Sequence, residues 1–170
     1  METWEAIRAR RNVRTFSDKP IARDDLVRIL EAARRTPSSS NNQRWDFVVA
    51  TERKQLEELA TTWRGARHVA TSSATVALIA PKADDARTRE SVQYDLGQAT
   101  MSIMIAAADL GIGSAHAAND QVVAQRVLGY SNDRFCAWLI ALGYPADRPL
   151  KPLKKLNRKP FDEVVHWGKW

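Results

Sequence analysis

Apolar residues recur at Leu26, Val27, Ile29, Leu30 and Ala33, a spacing that buries one face of a helix over residues 23–34. A shorter helix is expected over 3–10, where Trp4 and Ile7 stand three apart, and another over 52–63 with Leu56 and Leu59 inward. Over 94–110 the positions Leu96, Ala99, Ile103, Ala107 and Leu110 keep a three- and four-residue rhythm. Met101, Met104 and Ile105 make the other sides apolar too, so this helix should be central, and Gly111 should end it. Residues 121–128 form a further short helix stopped by Gly129. Three apolar runs have strand length: 45–50, 74–80 (closed by Pro81) and 135–142 (closed by Gly143-Tyr144-Pro145). Residues 18–21 turn at Pro20, and 38–43 form a polar loop without periodicity. Three to five strands against several helices, with no repeat or linker, predict one α+β domain spanning residues 1–170.

Composition narrows the class. The chain has 44% hydrophobic and 27% charged residues, ordinary for a globular protein. No apolar run is long enough to span a membrane, and the N-terminus lacks a signal-peptide pattern. A single cysteine, Cys136, lies mid-strand and reads as an inert buried thiol; a reducing cytoplasm is the expected compartment. The net charge of +6 concentrates at 8–14 and 151–159. Both segments interleave apolar residues (Ile7, Val13, Phe16, Leu153, Leu156, Phe161), which argues against a nucleic-acid arm and for parts of a fold. The closing residues Phe161, Val164, Val165, Trp167 and Trp170 need a surface to pack on, and a second subunit would provide one.

Several chemistries lack their residues. There is no P-loop, no Gly-x-Gly-x-x-Gly after a strand and no Gly-x-Ser-x-Gly; His68, His116 and His166 have no acidic neighbours at ligand spacing, so no metal site is expected. Gly111-Ile112-Gly113-Ser114 is a weak phosphate-loop echo. Two polar segments stay open. Arg10-Arg11-Asn12-Val13-Arg14-Thr15-Phe16 reads as a solvated basic helix end, a nucleic-acid patch or, if the first helix continues so that Arg10 and Arg14 share a face, a grip for a dianion. Pro37-Ser38-Ser39-Ser40-Asn41-Asn42-Gln43 is a generic polar loop or the lining of a heteroaromatic ring edge.

Together these two segments resemble the N-terminal signature of the nitroreductase family, Arg-Arg-Ser-x-Arg-x-Phe followed by Ala-Pro-Ser-x-x-Asn-x-Gln-Pro-Trp. The similarity continues, in family order, through Asp95-Leu96-Gly97-Gln98-Ala99, residues 106–113, 142–145 and 157–165. The chain departs from the pattern at Asn12 (usually serine) and Arg44 (usually proline), and it is short for the family.

The resemblance implies a nitroreductase-like fold: a central, mostly antiparallel sheet flanked by helices, with the C-terminal segment extending onto the partner of a homodimer. It implies FMN at the subunit interface, with Arg10 and Arg158 on the phosphate and Arg11 and Asn12 on the ribityl-phosphate side. Arg14 would stand by the flavin pyrimidine as a possible charge stabiliser, Pro37, Ser38, Ser39 and Asn41 would border the ring of the other subunit's flavin, and Gln43 would either contact that ring or support the loop. Arg64, Arg67 and His68 fall in the region where other members contact the flavin. The implied activity is ping-pong hydride transfer from NAD(P)H to a small electron-poor acceptor such as a nitroaromatic or quinone. No side chain would act as catalytic acid, base or nucleophile, since the chemistry occurs at flavin N5. Enone reduction, dehalogenation, oxidase chemistry or non-catalytic flavin binding on the same scaffold are the alternatives.

Overall fold

The computed structural model describes residues 2–152 and 157–170; Leu153 and Leu156, two aliphatics of the second basic segment, lie outside the described residues. In chain order the elements are α1 (Thr3–Ala9), α2 (Arg23–Arg34), β1 (Asp46–Ala50), α3 (Arg53–Ala60), β2 (Ala74–Pro81), α4 (Ala86–Asp109), β3 (Gly113–Ala117), α5 (Gln121–Leu128) and β4 (Arg134–Gly143). Short 3-10 turns occur at Ser39–Asn41, Arg67–Thr71 and Phe161–Glu163. The strands form one four-stranded sheet in the order β1-β2-β4-β3, with every neighbour antiparallel. This is the expected α+β architecture.

β2 reads as an unbroken apolar run because both its faces are covered. Ala77 and Ile79 join Leu56, Leu59, Val69 and Ala124 in a core under α3 and α5. Val76, Leu78 and Ala80 join Ile29, Ala33, Leu96, Ile103 and Met104 in a core under α2 and α4. On β4, Cys136 and Leu139 share a face although their numbers differ in parity. A bulge explains this: Leu78 pairs with Trp138 but Ile79 with Cys136, leaving Ala137 as the extra residue.

Two elements depart from the sequence expectation. α4 begins at Ala86, eight residues before the periodic stretch, because the Asp85 carboxylate caps it by accepting from the Thr88 amide at 2.8 Å. β3 replaces what looked like a weak phosphate-loop echo. Its residues Gly-Ser-Ala-His-Ala have little intrinsic strand preference, and the strand exists through its ladder with β4. Gly111 ends α4 and Gly129 ends α5, both at a φ of +73°, a conformation glycine adopts without steric penalty.

Candidate flavin site

The helical reading of the arginine segment is corrected by the structure. α1 stops at Ala9, and Arg10 is already extended (φ −58°, ψ 127°), so Arg10 and Arg14 are not one helical turn apart on a common face. The chain from Arg10 to Ser17 instead runs across the end of the sheet. The Val13 amide donates to the Ser114 carbonyl (3.0 Å), the Ser17 amide to Tyr144 (2.9 Å) and the Ala146 amide to Thr15 (3.0 Å). Val13 and Phe16 point into the core, while Asn12, Arg14 and Thr15 are exposed.

The close approach requires glycine at two paired positions. Gly113 and Gly143 face each other across β3 and β4. A Cβ on Gly113 would lie 2.7 Å from Val13 Cβ, and one on Gly143 would lie 2.7 Å from Phe16 Cδ1. Real carbon atoms do not approach so closely, so these two glycines are the seat in which the arginine segment lies.

Arg11 is tied within the chain: its Nη2 donates to Asp147 Oδ1 and to the Arg148 carbonyl, each at 2.8 Å. The same contact holds the Asp147 carboxyl below its usual range. Arg11 thus fastens the segment to the loop after β4. Arg10 is different. Its Nε is buried and has no hydrogen-bond partner among the described residues. A buried, unpartnered guanidinium nitrogen is costly, and an anion would satisfy it.

Beside this segment lies a cleft of about 630 Å³ lined by Arg14, Thr15, Phe16, Arg64, Gly65, Arg67, His68 and Thr71. His68 is 7% exposed, and its Nε2 also lacks a hydrogen-bond partner. Burial pushes its pKa below the ordinary histidine value, and the Arg14 charge adds to this; hydrogen bonding to the Ala115 and Gly65 backbone pulls the other way. His116, remote in sequence, also lowers it, because β3 brings the two histidines near each other.

The Pro37–Gln43 loop lies elsewhere in the protomer. Pro37, Ser38 and Ser39 line a second cleft with Arg87, Glu90, Ser91, Tyr94, Asp95 and Gln98, which has no lining residue in common with the arginine cleft. The Ser39 amide donates to both carboxylate oxygens of Asp95 at 3.1 Å, and Asp95 is 3% exposed. The Gln43 amide donates to Ser38 Oγ at 2.9 Å. Ser40, Asn41 and Gln43 all have positive φ (52°, 54° and 49°), unusual for residues with side chains. Such backbone strain, at about 1 kcal/mol or more per residue, clusters at functional loops. In the sequence Asp95 stands only as part of the Asp95–Ala99 motif; its role as the loop's anchor emerges from the fold.

Arg158 is exposed, and its Nη1 donates to the carbonyl of adjacent Asn157 at 2.6 Å. Phe161, Val164, Trp167 and Trp170 beyond it are 57% or more exposed. Within one protomer, then, Arg10 and Arg14 belong to one region, the Ser/Asn loop to another, and Arg158 to an exposed tail. Cys136 is buried, and burial pushes its thiol up to about 12, which makes it unreactive. Among the described residues no group of three or more His, Cys, Asp or Glu could hold a metal ion, and no helix is long and apolar enough to cross a membrane.

Comparison with known proteins decides the family. The Nitroreductase family profile matches residues 7–63, which include both segments. An Archaeoglobus fulgidus protein bearing the name NADH dehydrogenase/NAD(P)H nitroreductase is 30% identical, over 99% of each chain. This chain belongs to the nitroreductase family. The oxygen-insensitive NADPH nitroreductase of Salmonella typhimurium is 29% identical over 96% of this chain and 72% of its own length. Among solved structures, an FMN-dependent nitroreductase from Clostridium difficile superposes with a TM-score of 0.86 at 20% identity, covering 98% of this chain and 99% of that one. The family's fold is therefore present over the full described length.

Proposed function

We propose that this nitroreductase-family protein is an FMN-dependent oxidoreductase, with NAD(P)H as electron donor and a nitroaromatic or quinone as acceptor. The observation that carries the reading is the unpartnered, buried Arg10 Nε on a segment that the sheet and two glycines hold in place. The residues present fit FMN. Arg10 would take the phosphate, joined by Arg158 from the tail, with Asn12 donating beside the ribityl chain. Arg11 would hold the segment in register through Asp147. Arg14 would place positive charge at the pyrimidine end, where it favours a negatively charged ring. The chemistry such a cofactor supplies is hydride transfer, from NAD(P)H to the flavin and then from the flavin to the acceptor.

The complete site would need two protomers. Pro37, Ser38 and Ser39 line a different cleft from Arg14, so in a homodimer the loop, with Asn41 and Gln43, would border the ring held by the partner. Three further features support a dimer: α1 leaves Trp4 67% exposed, α4 leaves Tyr94 72% exposed, and the tail is apolar and exposed. Most names among the curated relatives support NAD(P)H as donor, and the Clostridium difficile neighbour supports FMN. A cytoplasmic location fits the reduced, unreactive cysteine.

The test is to add FMN to purified protein, remove excess, and mix anaerobically with NADH or NADPH. A bound flavin whose absorbance bleaches on mixing is expected. Protein that takes up no flavin would refute the reading, and bound flavin that neither nicotinamide reduces would favour a carrier over an enzyme.

A further inference from the structure

A hollow of about 440 Å³ lies where β2 ends and the chain turns into α4, at the opposite end of the sheet from the arginine segment. It shares no lining residue with the arginine cleft or the loop cleft. α4 is the wall between it and the loop cleft: the first turns present Arg87, Glu90, Ser91 and Tyr94 to the loop cleft, and Arg89, Val92 and Gln93 to the hollow. The more buried part of the lining is apolar. Val92 is 2% exposed, and Pro81, Ala83 and Phe135 are half-buried. The walls are fixed by the fold: Pro81 pairs with Arg134 across the sheet, the Lys82 amide donates to the Asp133 carbonyl at 2.8 Å, and Asp85 caps α4.

Small-molecule sites occupy about 300–1,000 Å³ and combine an apolar lining with a few placed polar groups. Those groups are present here. Lys82, Asp84, Arg89 and Gln93 complete the lining and are exposed. Lys82 Nζ donates to the Asn132 carbonyl at 2.8 Å, and Arg89 Nη1 donates to the Ala83 carbonyl at 3.1 Å and to the Asp84 carbonyl. Backbone carbonyls thus steady both cations beside the hollow without cancelling their charge. Of the neighbouring carboxylates, Asp85 accepts from the Thr88 amide and Asp133 from the Ser131 hydroxyl. Asp84 is the one carboxylate in the lining, so two cations and one acid leave a single positive charge over an apolar floor.

We propose that this hollow is a second small-molecule site, separate from the flavin, that takes a small hydrophobic monocarboxylate. The apolar body of the ligand would lie against Val92 and Phe135, removing their surface from water. Its carboxylate would accept from the Arg89 guanidinium and the Lys82 ammonium, with the Gln93 amide as a further donor. A neutral ligand of the same shape forgoes the charge-assisted contacts, and a dianion would be repelled by Asp84. The proposal does not rest on the flavin reading.

The experiment titrates the full chain, with and without added FMN, with 2-naphthoate or the neutral 2-naphthamide, and follows isotope-labelled alanine and valine methyl groups by NMR. With 2-naphthoate the Ala83 and Val92 methyls should shift saturably at millimolar concentration or below, while Val13 reports any binding beside the arginine segment. The amide should bind about tenfold more weakly, the value of one charge-assisted contact, and this preference should shrink as salt is raised. In Lys82→Gln/Arg89→Gln the two probes should bind with near-equal affinity. Ala83→Trp fills the hollow and should abolish the Val92 shift; Gln93→Trp, at an exposed position, blocks it from α4 should the first variant not fold. No shift at Ala83 and Val92, shifts confined to Val13, or equal affinity for the two probes in the wild type would overturn the proposal. So would a Val92 shift that survives in the blocking variant. Flavin uptake, read from absorbance, is scored separately: binding of 2-naphthoate by protein that takes up no FMN would refute the flavin reading and leave this inference standing.

Discussion

The arginine segment and the Ser/Asn loop are both polar stretches beside a core, yet the fold treats them oppositely. Residues 10–17 are fixed by three backbone hydrogen bonds, two buried side chains and the seat made by Gly113 and Gly143. Residues 37–43 are largely exposed, carry three left-handed non-glycine residues, and hang from α4 by the Asp95 carboxylate. The first region is finished within one chain. The second stores strain and presents its hydroxyls and amides outward, as the proposed contact with a second subunit's ligand would require. In the proposed dimer, a site made from both would combine a rigid anion grip with a loop whose geometry is completed on assembly.

The largest expected effect comes from breaking the rigid half. Gly113→Ala places a methyl within 2.7 Å of Val13 Cβ and should cost about 3 kcal/mol, read as a lower urea midpoint, together with a large loss of FMN affinity. Unchanged stability would mean the segment is not seated as described. Next, Asp95→Ala frees the Ser39 amide. Because that loop is exposed and water can replace the lost acceptor, stability should fall by only about 1 kcal/mol, whereas FMN affinity should fall tenfold or more. Equal modest effects on both would make Asp95 a merely structural anchor.

A smaller effect sharpens the contrast from the loop's side. Ser40→Gly relieves a φ of 52° at the expense of added freedom in the unfolded chain, for a net gain of about 0.5 kcal/mol. The same substitution at Thr15, in the extended and seated segment, should instead destabilise. Thermal melts of the two variants give the comparison directly.

A further effect depends on pH and is absent at neutral pH. Burial lowers the His68 pKa from its ordinary 6.5, so the unfolded chain binds a proton that the folded one refuses. Stability is then complete above about pH 6.5 and declines as pH falls toward the lowered folded value, with a slope of at most about 1.4 kcal/mol per pH unit. In His68→Gln this part of the slope should vanish in urea titrations across that range.

The parts of the fold visible in the sequence were those where local pattern and tertiary burial agree. α2 has the bounds its apolar face predicts, and β2 ends with Pro81, one residue beyond the expected stop. α4 was legible only where its core-facing residues begin. Its first turns are polar and exposed, and the overlooked clue was Asp85 three residues before Thr88, a capping arrangement. β3 was not legible, because Gly113 accommodates the close passage of Val13 and the serine and alanines beside it leave no strand signature. The same passage explains the helical misreading of Arg10 and Arg14: four-residue spacing is informative only if the helix continues, and it ends at Ala9. For the site, the family signature singled out the two segments as candidates. It did not reveal that they line separate clefts, that Arg11 is tied to Asp147, or that β3 brings His68 near His116. Those facts depend on long-range pairing, which residue order alone does not encode.

In the proposed homodimer, one chain's arginine segment and the other's loop form a single flavin site. Complementation tests it most directly. Arg10→Ala removes the grip and Asp95→Ala the loop anchor, so each homodimer should be deficient in FMN. In a heterodimer purified through two different affinity tags, one site combines both defects and the other has neither. The account predicts that the heterodimer binds FMN at one of its two sites with wild-type affinity and reduces it with NAD(P)H. A heterodimer as deficient as its parents would contradict it, because each site would then be drawn from one chain alone.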